Sequence, residues 1–273
     1  TAGIALPGYL KGIPFALHEA NRIVGRSNRF LSRFAKRVFL PVGVELPGFD
    51  VDRIQFAGLP LRKEFVAMSA KSAYEKLGIS PARKLLVVFG GSQGASALNQ
   101  WAQESVELLA EKGVSLYCLT GLRSDLPDEL TVETRSYGTV RSWFVPFSDS
   151  MPAVLSAADA VISRAGAGSI GEIIRCKVPA ILIPYPFARD DHQTANANYL
   201  TEQKAARIVE ETQLAALFEE VNELLFDDSV ASDLRTKLIS LDRPEEASQL
   251  ADSLEDLIPR NLDRRGVRSF PSA

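Results

Sequence analysis

The stretch Ser163-Arg164-Ala165-Gly166-Ala167-Gly168-Ser169-Ile170-Gly171-Glu172 constrains this chain more than any other, because an apolar run, Ala160-Val161-Ile162, leads into it and a helical pattern leads out. The run reads as a buried strand, and the small residues after it make a turn where a backbone can approach a ligand that side chains would block. A helix from Ser169 to Cys176 then presents unpaired N–H groups and the positive end of its dipole, which suits a diphosphate. Glu172 stands about one turn into that helix, within reach of ribose hydroxyls. A second loop, Gly90-Gly91-Ser92-Gln93-Gly94-Ala95-Ser96, follows another buried strand, Lys84 to Phe89, and opens a helix over about Ala97 to Lys112. Two such loops in one parallel sheet imply an α/β fold with a single cleft at its carboxyl edge.

The rest of the chain repeats the alternation. Short strands are expected at Pro14 to Leu17, Arg37 to Leu40 and Arg53 to Phe56, with an amphipathic helix from Arg26 to Phe34, which makes a small parallel unit. Ala57-Gly58-Leu59-Pro60-Leu61-Arg62 has the composition of a linker. The expected organisation is a first domain over 1–57, a linker over 58–62, a second domain over 63–258 and a mobile tail over 259–273 carrying Arg260, Arg264, Arg265 and Arg268. Within the second domain the pattern gives a helix from Ala67 to Leu77 closed by Gly78, a strand at Ser115 to Thr120 and a strand end at Trp143 to Phe147. A short helix capped by Ser148 to Pro152 follows, and then a strand at Ala180 to Ile183, a polar loop over Tyr185 to Gln193 and a helix to Gln203. A strand at Ala206 to Val209 and helices over Gln213 to Phe226, Val230 to Leu241 and Glu245 to Ile258 complete it. The polar segment Arg123 to Arg141 supports no assignment. The start at Thr1, in Ala-Gly-Ile-Ala-Leu-Pro-Gly-Tyr-Leu, reads as that of a fragment.

Composition narrows the function classes. The 273 residues carry a net charge of -3, which gives no global attraction to nucleic acid, and no nucleic-acid partner is expected. No apolar run approaches the roughly 20 residues that span a bilayer, and the N-terminus lacks a leader pattern, so a cytoplasmic protein is expected. The 2 cysteines, Cys118 and Cys176, lie in or beside apolar segments without metal-ligand spacing and read as buried thiols. The run Arg22, Arg26, Arg29, Arg33, Lys36 and Arg37 is either a solvated helix face or a surface for anionic lipid.

Each candidate site residue has two readings at this level. Gly90–Ser96 lacks the Lys-Ser/Thr ending of a P-loop, which argues against nucleotide hydrolysis of that type. Asp190-Asp191 could bind a metal or cap a helix, and no obligatory metal is expected. His192, Gln193 and Asn196 could read sugar hydroxyls or be solvated helix-start residues. Arg164 could contact phosphate or pair with a carboxylate. His18, Glu19 and Asn21 cluster after a strand end, where open α/β sheets place ligand groups, but equally form a capping box around a structural His.

Four motifs in order, Gly90-Gly-Ser-Gln-Gly-Ala95, Pro146-Phe-Ser-Asp-Ser-Met-Pro152, Ser163-Arg-Ala-Gly-Ala-Gly-Ser-Ile-Gly-Glu172 and Pro184-Tyr-Pro-Phe-Ala-Arg-Asp-Asp-His-Gln-Thr-Ala-Asn-Ala197, resemble the MurG family of bacterial N-acetylglucosaminyltransferases. The resemblance implies a GT-B fold of two Rossmann-like domains with parallel sheets, the N-terminal one truncated here. It also implies transfer of N-acetylglucosamine from UDP-N-acetylglucosamine to the C4 hydroxyl of undecaprenyl-pyrophosphoryl-muramoyl-pentapeptide, without a cofactor, by an enzyme peripheral on the inner face of the cytoplasmic membrane. By resemblance Glu172 would hold the ribose and the backbone of Phe147 and Ser148 the uracil edge. Ser92, Gln93, Ala167, Gly168 and Ser169 would cradle the diphosphate with Arg164 nearby, and His192, Gln193 and Asn196 would address the sugar. Asn21 and Arg62 are counted with the substrate contacts, and His18, assisted by Glu19, is the candidate base. Two departures stand out: the family's Gly-Gly-Thr-Gly-Gly-His loop belongs upstream of Thr1, and Leu59 stands where the family has Asn before Pro. The rival readings are a related UDP-sugar transferase with another lipid acceptor and a noncatalytic UDP-sugar-binding module.

Overall fold

The computed structural model describes residues 2–91, 95–121 and 127–257. They form two compact units. The first comprises the chain to Ala20, Val24–Pro60 and the residues from Pro244 onward. In it β1 (Ala16–His18), β2 (Arg37–Leu40) and β3 (Ile54–Phe56) pair in parallel in chain order. Two helices, α1 (Ala2–Leu10) and α2 (Arg26–Ser32), accompany them. Leu17, Leu31, Val38, Leu40 and Val44 are buried together as the core of this unit.

Three findings here differ from the sequence reading. Residues 2–10 form a helix despite Pro7 inside it, where a helix loses one backbone hydrogen bond, and local propensity therefore hid it. The strand expected to end at Leu17 includes His18, which pairs opposite Phe39. The C-terminal helix Glu246–Glu255, expected within 63–258, groups with the first unit, where Ser253 accepts hydrogen bonds from Arg37 and Gln55 at 2.8 Å each. The arginines of the 259–273 tail lie outside the described residues.

The second unit, Leu61–Arg243 with Asn21–Ile23, is built on seven strands. They are β4 (Lys84–Phe89), β5 (Val114–Leu119), β6 (Glu129–Thr134), β7 (Gly138–Val145), β8 (Ala160–Ser163), β9 (Ala180–Leu182) and β10 (Arg207–Ile208). Their spatial order is β10-β9-β8-β4-β5-β7-β6, parallel throughout except for the β6–β7 hairpin. That hairpin takes up the polar segment from Glu129 onward, and residues 123–126 of the segment lie outside the described residues. Its outer strand alternates exposed and half-buried residues at the sheet edge, so it carries little apolar signal. The interleaved helices are α3 (Ala70–Leu77), α4 (Ser96–Ala110), α5 (Met151–Ala157), α6 (Ala167–Cys176), α7 (His192–Glu202), α8 (Leu217–Phe226) and α9 (Asp228–Leu241).

Central strands of a sheet covered on both faces must be apolar at every position. In β4, Leu85, Val87 and Phe89 join one buried cluster, while Leu86 and Val88 join the cluster on the opposite face with Leu98, Val106 and Leu224. β9 divides in the same way, with Ala180 and Leu182 on one side and Ile181 on the other. Burial pushes the Cys118 thiol up to about 12 and the Cys176 thiol to about 11, so both stay protonated near neutrality. Leu86 has no exposed surface, whereas Leu108 is 57% exposed. Leu86→Ala is therefore expected to cost about 2–5 kcal/mol in denaturant unfolding, and Leu108→Ala less than about 0.5 kcal/mol.

Candidate functional site

Taken in chain order, the parallel strands of the second unit run outward on either side of a central pair, β4 and β8. This is the arrangement whose reversal point opens a crevice at the carboxyl ends of the strands. Phe89 pairs with Ser163, so the two strands end level, and Arg164 N donates to Phe89 O at 3.3 Å. Both glycine loops leave from this point. The loop after β4 passes through Gly91 at φ 86, a left-handed conformation that a side chain would strain, and reaches α4. Ser92 and Gln93 lie outside the described residues.

Neither helix that begins here is capped by a side chain. The first turn of α6 closes with Ile170 N donating to Gly166 O at 3.0 Å, which leaves the N–H groups of Ala167, Gly168 and Ser169 without an intrahelical acceptor. A Cβ built at Gly168 would meet nothing within 4 Å, so open space lies before that backbone. α4 repeats the pattern, with Asn99 N bonded to Ala95 O at 2.9 Å. Two helix N-termini thus leave adjacent strand ends, each carrying about half a positive charge. That is the chemistry of an anion site.

Glu172 lies one turn into α6 and is half-buried. Burial pushes its carboxyl above the ordinary carboxylate range, and the Arg62 guanidinium draws it back. Phe147 and Ser148 follow β7, on the far side of β5 from β4. The Phe147 ring is 65% exposed, while Ser148 Oγ accepts from Ser150 N at 3.2 Å and bonds the Tyr117 side chain.

Several candidate residues have other partners. Arg164 is buried, and its guanidinium donates to Ile183 O at 3.3 Å and Pro184 O at 3.4 Å and pairs with Glu211. These contacts are those of the carboxylate-pairing alternative, and they tie the end of β8 to the residues after β9. Asn196 is 3% exposed and is engaged by protein at both ends of its amide. It donates to Ala165 O at 3.0 Å and Asn21 Oδ1 at 3.1 Å and accepts from Arg22 N at 2.8 Å. The segment Asn21–Ile23, flanked on both sides by residues of the first unit, is held to the second in this way, with the Arg22 guanidinium 3.9 Å from the Tyr199 ring centroid. Asn21 and Asn196 thus hold a strap against the glycine loop. Gln193 Oε1 accepts from Tyr185 N at 3.0 Å, which leaves its amide N–H₂ as a donor, and His192 Nδ1 bonds Arg189 O at 2.7 Å. Asp191 stands at the N-terminus of α7 without capping its backbone and accepts from Thr194 Oγ1 at 2.6 Å. Among the described residues no three His, Cys, Asp or Glu groups converge as a metal site would need.

In the first unit His18 Nε2 bonds Gly58 O at 2.9 Å. A carbonyl accepts only, so Nε2 carries the proton and Nδ1 is the basic nitrogen. Glu19 is 5% exposed, and its carboxylate accepts from Gly25 N and Asn28 Nδ2 at 2.9 Å each. These bonds tie Glu19 to the segment that enters α2. Glu211 and Asn28, which hold Arg164 and Glu19, escaped sequence reasoning because each acts on a partner in another element and carries no local pattern.

The family model for the glycosyltransferase family 28 C-terminal domain matches residues 85–252. The UDP-N-acetylglucosamine–N-acetylmuramyl-(pentapeptide) pyrophosphoryl-undecaprenol N-acetylglucosamine transferase of Opitutus terrae is 43% identical over 247 residues, 90% of this chain and 66% of that protein. The protein of the same name from Desulforamulus reducens is 32% identical over 260 residues, 92% of this chain and 69% of its own. The chain thus spans about two thirds of the length of these relatives. Among solved structures, Acinetobacter baumannii MurG superposes with a TM-score of 0.62 at 24% identity, covering 92% of this chain and 69% of that one. The calicheamicin glycosyltransferase CalG4 superposes with the same TM-score, 0.62, at 15% identity, covering 96% and 72%. These likenesses establish the two-domain GT-B architecture, and with the family match and the sequence identities they place the chain in glycosyltransferase family 28, as a member of the MurG family.

Proposed function

We propose that this chain carries the donor site of an inverting N-acetylglucosaminyltransferase that moves N-acetylglucosamine from UDP-N-acetylglucosamine to the C4 hydroxyl of lipid-linked muramoyl-pentapeptide. The observation that carries the reading is the pair of uncapped helix N-termini at the ends of β4 and β8, with Glu172 one turn into α6. The diphosphate lies on the N–H groups of Ala167, Gly168 and Ser169, the ribose hydroxyls on Glu172 with Arg62 beside it, and the uracil toward Phe147 and Ser148. His192 and Gln193 address the sugar. Arg164 and Asn196 build the site without touching the ligand.

In the reaction the acceptor hydroxyl oxygen bonds the anomeric carbon, the bond from that carbon to the diphosphate oxygen breaks, and UDP leaves. Negative charge grows on the diphosphate as it departs, and preorganised N–H groups and helix dipoles stabilise it there more than in the ground state. His18 receives the hydroxyl proton at Nδ1, with Nε2 held by Gly58 O. The first unit presents exposed Ile4, Leu10 and Ile13 near Lys11 in sequence, together with the basic face Arg26, Arg29, Arg33 and Lys36, a composition suited to an anionic membrane that carries a lipid-linked acceptor. Among the described residues no helix is long and apolar enough to cross a membrane.

The direct test is sugar transfer by the full-length protein to a lipid-linked muramoyl-pentapeptide in vesicles. UDP-N-acetylglucosamine should serve in preference to UDP-glucose or UDP-galactose, anionic vesicles should support faster turnover than neutral ones, and His18→Ala should lower kcat at unchanged UDP affinity. Equal use of the three donors would overturn the assigned specificity.

The state of Glu172 gives an independent check. Its carboxylate accepts the ribose hydroxyls only when ionised, and burial raises its pKa. Affinity for UDP-N-acetylglucosamine, whose diphosphate is esterified at both ends and does not titrate in this range, is therefore expected to fall as pH drops, beginning above the ordinary carboxylate range. Arg62→Ala removes the influence that lowers the pKa and should move that fall to higher pH, while Glu172→Gln should flatten it, as calorimetric titration across pH 4–8 would read.

A further inference from the structure

One feature at the same sheet edge has no part in donor binding as described. Between β9 and α7 the chain raises two aromatic rings, with Phe187 80% exposed and Tyr185 42% exposed, their centroids 5.7 Å apart and edge to face. Water is a poor environment for so large an apolar ring, and an isolated exposed Phe would need no comment. This pair is built from below. The Tyr185 ring lies 5.2 Å from the Arg164 guanidinium, itself buried and fixed by Ile183 O, Pro184 O and Glu211. The Tyr185 N–H is held by Gln193 Oε1, and the turn closes with Ala188 N on Tyr185 O at 3.1 Å. A buried cation, a side-chain amide and a closed turn thus hold Tyr185, and the Phe187 ring meets it edge to face, so part of the step is ordered before a ligand covers it.

Its place along the sheet says which ligand. The order β7, β5, β4, β8, β9 matches the donor laid out from uracil, after β7, through the diphosphate, at β4 and β8, to the sugar. The step follows β9, at or beyond the sugar end, where the acceptor must arrive for its hydroxyl to reach the anomeric carbon. Flat aromatic faces exposed at such a position suit the C–H face of a pyranose, because a ring of that shape buries apolar area while its hydroxyls point outward to water.

We propose that Phe187, braced by Tyr185, is a specificity-determining contact for the acceptor, stacking on the face of its muramoyl ring. The inference rests on the proposed transferase reaction. Steady-state kinetics of the full-length protein with Phe187→Ala should raise the acceptor KM about tenfold, the size expected for one aromatic face covered by a ligand, with kcat and the UDP-N-acetylglucosamine KM within about twofold. Phe187→Trp should restore the acceptor KM, and Phe187→Leu, which keeps the apolar volume but not the flat face, should not. The shift should persist with an acceptor whose polyprenyl chain is shortened. An unchanged acceptor KM in Phe187→Ala would overturn the proposal. So would a shift rescued by Leu or abolished by shortening the lipid, which would assign the step to the chain instead. Absence of transfer by the unsubstituted protein would overturn the reaction itself and is read separately from these outcomes.

Discussion

Two neighbouring parallel strands that end level, β4 and β8, set the terms for the whole second unit. Because Phe89 pairs with Ser163, the loops that follow them start side by side, and a helix is the next element after each. Among the described residues both helices begin without a side-chain cap, so two sets of backbone donors and two positive dipole ends follow these strands. In water such groups are solvated at little cost. On the donor-site reading proposed above, a diphosphate there would accept charge-assisted hydrogen bonds from these groups, with the buried strands behind them holding the backbone.

That rigidity comes from side chains that at first sight belong to the ligand. Arg164 follows β8 but is committed to two carbonyls after β9 and to Glu211, so it locks the loop ends together. Asn196 bonds Ala165 O beside the glycine turn and, through Asn21 and Arg22, a strap from elsewhere in the chain. A buried amide or guanidinium stripped of such partners would leave unpaired polar groups costing about 1–3 kcal/mol each. The polar residues near these strand ends thus include a fixed frame, and the donor reading proposed above assigns the ligand to others, among them Glu172, His192 and the α6 N-terminus.

The strands of the second unit were legible because burial on both faces demands unbroken apolar runs, as in Leu85 to Phe89. The turn at Ser163–Glu172 was legible for a related reason, since small residues between a strand and a helix have few other uses. The hairpin β6–β7 was not, because an edge strand needs apolar residues on one face only. Helix α1 was hidden by Pro7 and its glycines. The bonds that tie Glu19 to the segment entering α2 and the pairing of Arg164 with Glu211 depend on contacts between residues distant in sequence or element, and residue type alone leaves both alternatives standing. Which residues form the frame and which meet the ligand is a property of tertiary structure.

The central claim is that backbone donors at paired helix N-termini bind the diphosphate of the donor. Calorimetric titration of the protein with uridine and with UDP at one ionic strength tests it most directly. UDP should bind at least about tenfold more tightly than uridine, since each charge at a helix N-terminus and each charge-assisted hydrogen bond contributes on the order of 1 kcal/mol or more, and the advantage should shrink as salt is added. Equal affinities for uridine and UDP would contradict the account.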